Sequence, residues 1–193
     1  MSQPAPGALE AVRAFVNSVD LEDEEDQRAD PRALTAWLRE HALLDRVGRT
    51  PTAADLRRAI ELREALRAQL RAHHGEPEDP DSASVLDATA VRARLTLRFT
   101  APEQTALEPQ AGGVDGALGR LLAIVKAAID DGTWVRLKVC VADTCQWAFF
   151  DESRNRSGVW CDMRVCGNRA KVREFRQRTR SGHGEADAPA TSS

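Results

Sequence analysis

The stretch CVADTCQWAFFDESRNRSGVWCDMRVCGNRAKVREFRQRTR, from Cys140 to Arg180, holds all four cysteines of the chain. They form two pairs, each with four residues between the partners, and fifteen residues separate the pairs. Such pairs suit a tetrahedral Zn²⁺ with four thiolate ligands, because each tight turn directs two sulfurs at one ion. Two disulfides are the alternative, but they require an oxidising compartment that nothing in the sequence indicates. The spacing therefore predicts one structural zinc ion, held by Cys140, Cys145, Cys161 and Cys166.

Basic charge is concentrated in the same stretch. Residues 154–180 carry nine Lys or Arg against two acids, a net charge of +7, whereas the whole chain has 27 basic and 30 acidic residues. The rest of the chain therefore carries a net charge of −10. An acidic protein with one basic end has the charge distribution of a polyanion-binding protein. The zinc cluster is predicted to hold this basic segment in a fixed shape.

A helix is predicted directly after the last cysteine. Gly167 leaves room for the backbone there, and Asn168 is placed to cap the helix. Arginines then recur at helical spacing and form one stripe, whereas Val172 and Phe175 are expected on another face that docks on the protein. A solvated, Arg-rich helix without a partner is the alternative. The predicted nucleic-acid contacts are Arg154, Arg156, Arg169, Lys171, Arg173, Arg176 and Arg180.

The loop between the cysteine pairs is predicted to be structural. Trp147, Phe149 and Phe150 are expected to pack on one another beside the metal, and base stacking on exposed aromatic rings is the alternative. Trp160 is also expected to be structural. Asp151 suits a turn in which the carboxylate accepts bonds from nearby backbone amides. It has no His or second carboxylate nearby in sequence, and a four-thiolate zinc has no open position for water. We therefore expect no enzyme active site in this segment, and no enzyme overall.

The first two thirds of the chain has mainly helical periodicity. Helices are predicted over 8–19, from Pro31 with Asp30 as its cap to a stop at Gly48, from a Thr52–Asp55 capping pair to residue 75, over 84–91 and over 114–131. Residues 94–100 alternate as a half-buried strand with Leu95, Leu97 and Phe99 on one face, 105–108 is a candidate return strand, and 134–139 alternates again. The histidines at 73 and 74 are interpreted as a helix C-terminus rather than a metal site.

These elements define the fold class and the domains. We predict an α+β fold that is mainly α: a helical N-terminal domain with a small β element (1–133), a four-cysteine zinc finger with its basic helix (134–180) and a disordered tail (181–193). The start of the chain lacks the features of a signal peptide, and no stretch approaches the roughly 20 apolar residues that cross a bilayer. A cytoplasmic, nucleoid-associated protein is expected, without membrane contact.

The stretch resembles the CGNR zinc-finger family, named for the four residues that stand here as Cys166, Gly167, Asn168 and Arg169. The likeness extends over the other three cysteines and over Trp147, Phe149, Phe150, Asp151, Ser153, Asn155, Trp160, Met163, Lys171, Val172 and Phe175. The N-terminal part is similar to the ABATE domain that usually precedes this finger, through Phe15-Val16-Asn17-Ser18 and Leu62-Arg63-Glu64-Ala65-Leu66-Arg67. The resemblance implies a stress-related bacterial transcription regulator whose finger binds DNA.

Two function classes follow from these observations. The first is a DNA-binding regulator, in which the finger contacts double-stranded DNA and the helical domain binds a small-molecule effector or forms a homodimer. The second is a protein-interaction module, in which zinc only staples the C-terminal segment and the arginines contact an acidic protein. RNA binding is a variant of the first class, since attraction to phosphate does not distinguish the two nucleic acids.

Overall fold

Helices make up most of the chain before the cysteines. The structure is a computed structural model that describes residues 4–22, 25–26, 30–44 and 49–182, with only the backbone described at 25, 174 and 179–182. The helices of this part are α1 Leu9–Val16, α2 Pro31–Glu40, α3 Ala53–Ala72, α4 Pro80–Ala93 and α5 Gly113–Asp130. No helix in the described ranges is long and apolar enough to cross a membrane.

The strands within the described ranges form three separate antiparallel hairpins of two strands each. They are β1 Val19–Asp20 with β2 Glu25–Asp26, β3 Leu95–Ala101 with β4 Gln104–Pro109, and β5 Leu137–Val139 with β6 Ala148–Phe150. A short 3-10 turn precedes β5, and the chain continues after β6 through a π turn, Met163–Gly167, into α6 Asn168–Gly182. The mainly α, α+β class predicted from the sequence is confirmed.

One hydrophobic core joins the two halves of the chain. It is built from the inner faces of α1, α2, α3 and α5, with Phe15, Leu34 and Leu66 among its fully buried members. Leu137 and Val139 of β5 belong to the same core. Because β5 leads directly into Cys140, burial of this strand fixes the place at which the metal cluster begins.

The helix starts follow the capping signals of the sequence. Asp30 accepts hydrogen bonds from the amides of Arg32 (2.7 Å) and Ala33 (2.9 Å), with Pro31 at the first helical position. Thr52 and Asp55 form the predicted capping box at the start of α3. The helix ends differ: α2 ends at Glu40, well before the predicted stop at Gly48, and Gly48 itself lies outside the described residues. Helix α6 reaches Gly182, and the tail 183–193 is also outside them.

The hairpin β3–β4 departs from the prediction of a half-buried strand. Leu95 is partly buried, but Leu97 is 53% exposed and Phe99 is 82% exposed. The alternation correctly places these three side chains on one face, since strand residues two apart point the same way. The hairpin extends beyond the helices, so the protein does not cover that face near the turn.

Asp55 is the most strongly bonded carboxylate at a helix start. Its side chain is fully buried, and both oxygens accept bonds from the guanidinium of Arg49, at 2.6 and 2.7 Å. Arg58 adds a further bond, and Thr52 donates to the same carboxylate. Burial raises the pKa of Asp55, but the bonds from Arg49 and Thr52 outweigh it and hold that pKa well below the ordinary value.

We expect Asp55→Ala to lower the free energy of unfolding by about 3 kcal/mol, because it removes the cap of α3 and leaves two arginines without a buried partner. Urea denaturation at pH 7 measures this. The matched control is Asp81→Ala, which removes an exposed acid from the first turn of α4. It should cost less than about 1 kcal/mol. Equal losses of unfolding free energy in the two variants would contradict the contribution assigned to the buried hydrogen bonds of Asp55.

Candidate metal centre and nucleic-acid interface

The four cysteine sulfurs gather at one point. All four lie within 4.8 Å of one another, and none is in a disulfide. Cys145 and Cys161 are 3.6 Å apart at their sulfurs, and Cys161 and Cys166 are 3.7 Å apart. A disulfide would require about 2.05 Å, whereas a tetrahedral ion with Zn–S bonds of about 2.3 Å places its sulfurs roughly 3.8 Å from each other. The cluster therefore fits one structural Zn²⁺, as the spacing predicted.

The protonation of the sulfurs also favours a cation at this point. Hydrogen bonds from Cys145 and Cys161 lower the pKa of the Cys140 thiol to about 2. The bond that Cys145 makes to Cys140 raises the pKa of Cys145 to about 12, and bonds to Cys140 and Cys145 raise that of Cys161 as well. Without a metal, four thiolates this close could not all form, because like charges repel one another. A dication removes that restriction and allows four thiolates.

Backbone hydrogen bonds hold the two cysteine pairs in shape. The amide of Cys140 donates to the Trp147 carbonyl (2.9 Å), and that of Cys166 donates to the Asp162 carbonyl (2.9 Å). Beside the second pair the chain passes close to its neighbours at Gly167. A Cβ there would stand 2.4 Å from the Met163 sulfur and 3.3 Å from the Trp160 ring, so a larger residue would have to displace the Met163 side chain.

A buried ion pair supports the loop between the cysteine pairs. The ammonium of Lys138 and the carboxylate of Asp151 are 2.8 Å apart, and each residue is only 3% exposed. Asp151 also accepts bonds from the amides of Ser153 (3.0 Å) and Gly158 (2.8 Å), the kind of turn contacts expected from the sequence. The partner Lys138 was missed, because alternation assigned it to the outward face of β5. That face is covered by the loop, whose Arg156 carbonyl also accepts from the ammonium.

The pH dependence of this pair follows from its bonds. Burial raises the pKa of Asp151, but hydrogen bonds from Lys138, Ser153 and Gly158 outweigh it and leave that pKa at about 2. The unfolded value is about 3.9. Because the folded pKa is the lower one, the contribution to stability is complete above about pH 5 and is lost as the pH falls toward 2.

We expect Asp151→Asn to reduce the free energy of unfolding of the finger by about 3 kcal/mol at pH 7, because it leaves the Lys138 ammonium buried without a counter-charge. Asp143→Asn changes an exposed acid in the same finger and should cost less than about 0.5 kcal/mol. Chemical denaturation of the zinc-loaded protein at pH 7, followed through the finger tryptophans, measures both. If the two variants lost equal stability, the account of the ion pair would be wrong.

The aromatic residues between the two cysteine pairs are turned inward. Phe149 is 5% exposed, and Trp147, Phe150 and Trp160 are partly buried. The Phe149 ring lies 6.3 Å from the ring of His74, between centroids, at the boundary with the helical domain. This arrangement favours the packing role predicted for these side chains over base stacking, which needs an open ring face.

The helical domain binds the outer edge of β5 through two histidines. Nδ1 of His73 donates to the Leu137 carbonyl (2.7 Å), and Nε2 of His74 donates to the Val139 carbonyl (2.6 Å). Burial lowers the pKa of His73, which favours the neutral ring that this bond uses. The sequence placed both histidines at a helix end, which is correct, but their partners are far along the chain and periodicity cannot reveal them.

The edge of β6 and the first cysteine turn are bound in the same manner. Asn17 forms two hydrogen bonds with the backbone of Ala148, accepting from its amide (2.6 Å) and donating to its carbonyl (2.9 Å). Arg67, which is 1% exposed, donates to the carbonyls of Gln146 and Val16, both at 2.8 Å. The finger is thus attached to the helical domain along both strands and at the metal turn. We call this set of contacts the seam.

The start of the basic helix differs from the prediction. Asp162, not Asn168, provides the cap: its carboxylate accepts from the amide of Arg164 (2.8 Å). Asn168 lies inside the helical path, and its side chain donates to the Arg164 carbonyl (3.0 Å). The π turn explains the shift, because the helical path begins with Met163, inside the second cysteine pair.

Helix α6 presents its arginines on an exposed groove. Arg169, Arg173 and Arg176 line this groove together with Arg164 and Val172. Arg154, Arg156 and Lys171 are exposed elsewhere on the finger, and the side chain of Arg180 lies outside the described part. The groove is continuous with the metal cluster, since Arg169 and Arg173 also line a small cleft beside Cys145 and Cys166.

Two features of α6 modify the predicted stripe. Val172 shares the arginine face instead of lying opposite, and it is 49% exposed; Phe175 is 71% exposed, so neither docks the helix as expected. Arg169 pairs with an acid of its own chain, Glu22, at 2.5 Å. That pairing raises the pKa of Arg169. Glu22, two residues after β1, therefore contacts the basic helix.

Two family models match the chain in tandem. The model for the CGNR zinc finger matches residues 136–179, which include all four cysteines and most of α6. The ABATE model, described as "Putative stress-induced transcription regulator", matches residues 9–131. The chain belongs to the ABATE family. The resemblance stated from the sequence is confirmed for both parts. A search for similar curated proteins gave no match.

We expect chelation to unfold the finger of this ABATE-family chain and to leave the helical domain folded. Removal of structural zinc takes away on the order of 10 kcal/mol from such a segment, whereas the helices supply most of the apolar core among themselves. One zinc per chain should be released, with a change in the fluorescence of Trp147 and Trp160 and retention of most helical circular dichroism. Unchanged finger fluorescence after complete loss of zinc would contradict the structural role.

Proposed function

We propose that this ABATE-family protein is a DNA-binding transcription regulator whose zinc finger and α6 contact double-stranded DNA. The family description supports a role in transcription. The observation that carries the DNA contact is the exposed face of α6, where Arg169, Arg173 and Arg176 stand in one row at a helix whose start is tied to the metal cluster. Guanidinium groups at fixed positions suit phosphates or the guanine edge in the major groove.

The remaining basic side chains extend this surface. Arg154 and Arg156 are exposed on the loop between the cysteine pairs, and Lys171 is exposed on α6. We propose that they contact phosphates flanking those bound by the arginine row, with Arg180 extending the row toward the helix end. Contacts to the backbone position a protein on the duplex, and they make its affinity strongly dependent on salt.

We propose that zinc is structural and that the chain is not an enzyme. Four cysteine sulfurs complete a tetrahedral shell, so the ion has no open position at which water or substrate could be activated. Asp151, the buried carboxylate nearest to the cluster in sequence, is fully engaged by Lys138 and by backbone amides. Its role is to hold the loop.

We expect the logarithm of the binding constant for duplex DNA to fall against the logarithm of salt concentration with a slope of about −4.5, which corresponds to five phosphates. Arg173→Gln/Arg176→Gln should make the slope shallower by about 2 and weaken binding at least tenfold at 0.1 M salt. The matched control, Arg57→Gln/Arg92→Gln, removes two exposed arginines from α3 and α4. It should leave the slope within about 0.5 of the parent value.

The proposal fails if the zinc-loaded protein has no salt-sensitive affinity for DNA, or if both double variants weaken it equally.

A second candidate, a protein-interaction module, is favoured by the exposed Val172 and Phe175 on the arginine helix, since apolar side chains at a basic surface suit a protein partner. The contact between Arg169 and Glu22 shows the chemistry such a partner would supply. Co-purification of an acidic protein in place of DNA would support this candidate. Tighter binding to RNA than to duplex DNA would favour the RNA-binding variant.

A homodimer, an effector of the helical domain and a cytoplasmic, nucleoid-associated location remain predictions. The exposed Leu97 and Phe99 on the β3–β4 hairpin are available for self-association. Sedimentation equilibrium of the parent and of Phe99→Ser tests the first of these.

A further inference from the structure

A cleft lined by three arginines lies in the helical domain, away from the finger. Arg32 and Arg39 project from the outer face of α2, and Arg49 lies on the segment that leads into α3. Thr35 and Thr50 add two hydroxyl groups to the same cleft. Among the described residues no acid lines the cleft, and of its three arginines only Arg49 has an ion pair there, with the buried Asp55 behind it.

The arginines of the cleft differ in how they are held. Both terminal nitrogens of Arg49 are bound to the buried carboxylate of Asp55, which fixes the guanidinium at the wall. Arg32 and Arg39 are exposed, and in the described ranges no carboxylate is within ion-pair distance of either. One cation is therefore preorganised, while two others are available to close on a ligand. A concave site with cations on its walls concentrates small anions.

The floor of the cleft is apolar. Pro51 and Val114 are buried there, and Leu44 is partly buried beside them. The cavity has a volume of about 270 Å³. Pockets for drug-sized ligands begin at about 300 Å³, so the space suits a smaller molecule. The alternative is that these are ordinary solvated arginines on a convex helix face. Such arginines do not surround a buried apolar surface, whereas these three surround Pro51 and Val114.

We propose that this cleft is a binding site for a small organic anion, a molecule with a carboxylate or phosphate group on a short apolar body. The acidic group takes the guanidinium forks of Arg32 and Arg39, which match carboxylate and phosphate oxygens in pairs. Arg49, held by Asp55, forms the wall beside them. The apolar body rests on Pro51 and Val114. This goes beyond the proposed DNA contact and does not depend on it.

The position of the cleft relative to the finger is set by α3. The cleft adjoins the start of this helix, whereas the seam lies at its other end, at Arg67 and His73. A helix of 20 residues spans roughly 30 Å. A bound anion therefore does not touch the finger, and binding to the cleft is measurable without DNA.

The test is a titration of the ¹⁵N-labelled, zinc-loaded full chain with benzoate, with the neutral benzamide and with inorganic phosphate, at constant ionic strength. We expect benzoate to give saturable shifts of the amides of 32–39, Thr50 and Val114, with a dissociation constant on the order of 1 mM. Benzamide and inorganic phosphate should each bind at least tenfold more weakly, the first for lack of charge and the second for lack of an apolar body.

Variants separate the cleft from the rest of the surface. Arg32→Gln/Arg39→Gln should weaken benzoate at least tenfold while the spectrum outside the cleft stays unchanged, because both side chains are exposed. Arg57→Gln/Arg92→Gln, with the same change in net charge, should leave the affinity within twofold. The assignment is overturned if no saturable shift appears in the cleft, or if both double variants bind benzoate like the parent. Equal affinity for phosphate and benzoate would overturn the claim that the ligand has an apolar body.

Discussion

Four sulfurs within 4.8 Å of one another are the constraint on which the C-terminal half depends. Four thiolates at that distance repel strongly, and a dication reverses the sign of the interaction. The hairpin that carries the first cysteine has strands of only three residues, too short to be stable alone. The metal therefore joins two turns, Cys140–Cys145 and Cys161–Cys166, that are separate in sequence. The second of these turns leads into α6. The direction of the arginine row is a consequence of where the sulfurs meet.

The seam gives this metal cluster a fixed place on the helical domain. His73, His74 and Asn17 bind the outer edges of β5 and β6, which would otherwise expose unpaired backbone groups. Arg67 ties the turn beside Cys145 to the end of α1. Because β5 is also part of the common core, the finger cannot rotate without breaking apolar contacts and hydrogen bonds together. The hairpin and the first cysteine turn, which lead to the metal cluster, are thus held on the helical domain by side-chain hydrogen bonds and by the common core.

The sequence predicted the features that are encoded locally. Cysteine spacing predicted the metal cluster, and the Thr52–Asp55 pair predicted the start of α3. Long-range features were missed: Lys138 alternates outward from its strand, but the loop containing Asp151 folds over that face. Leu97 and Phe99 share a face as predicted, yet periodicity reports which side chains point together and not whether another element covers them. The same reason explains Val172 and Phe175, which share a helix with the arginines and are 49% and 71% exposed. The cap at Asp162 was assigned to Asn168 because a π turn is not visible in a helical repeat.

The most direct test of the account is zinc X-ray absorption spectroscopy on the full-length protein purified without added metal. The cluster predicts one zinc per chain with four sulfur neighbours at about 2.3 Å and no nitrogen or oxygen neighbour. The presence of oxygen or nitrogen in the first shell would mean an open site, and it would remove the argument for a purely structural ion. A chain without bound zinc whose cysteines are oxidised in pairs would contradict the account entirely.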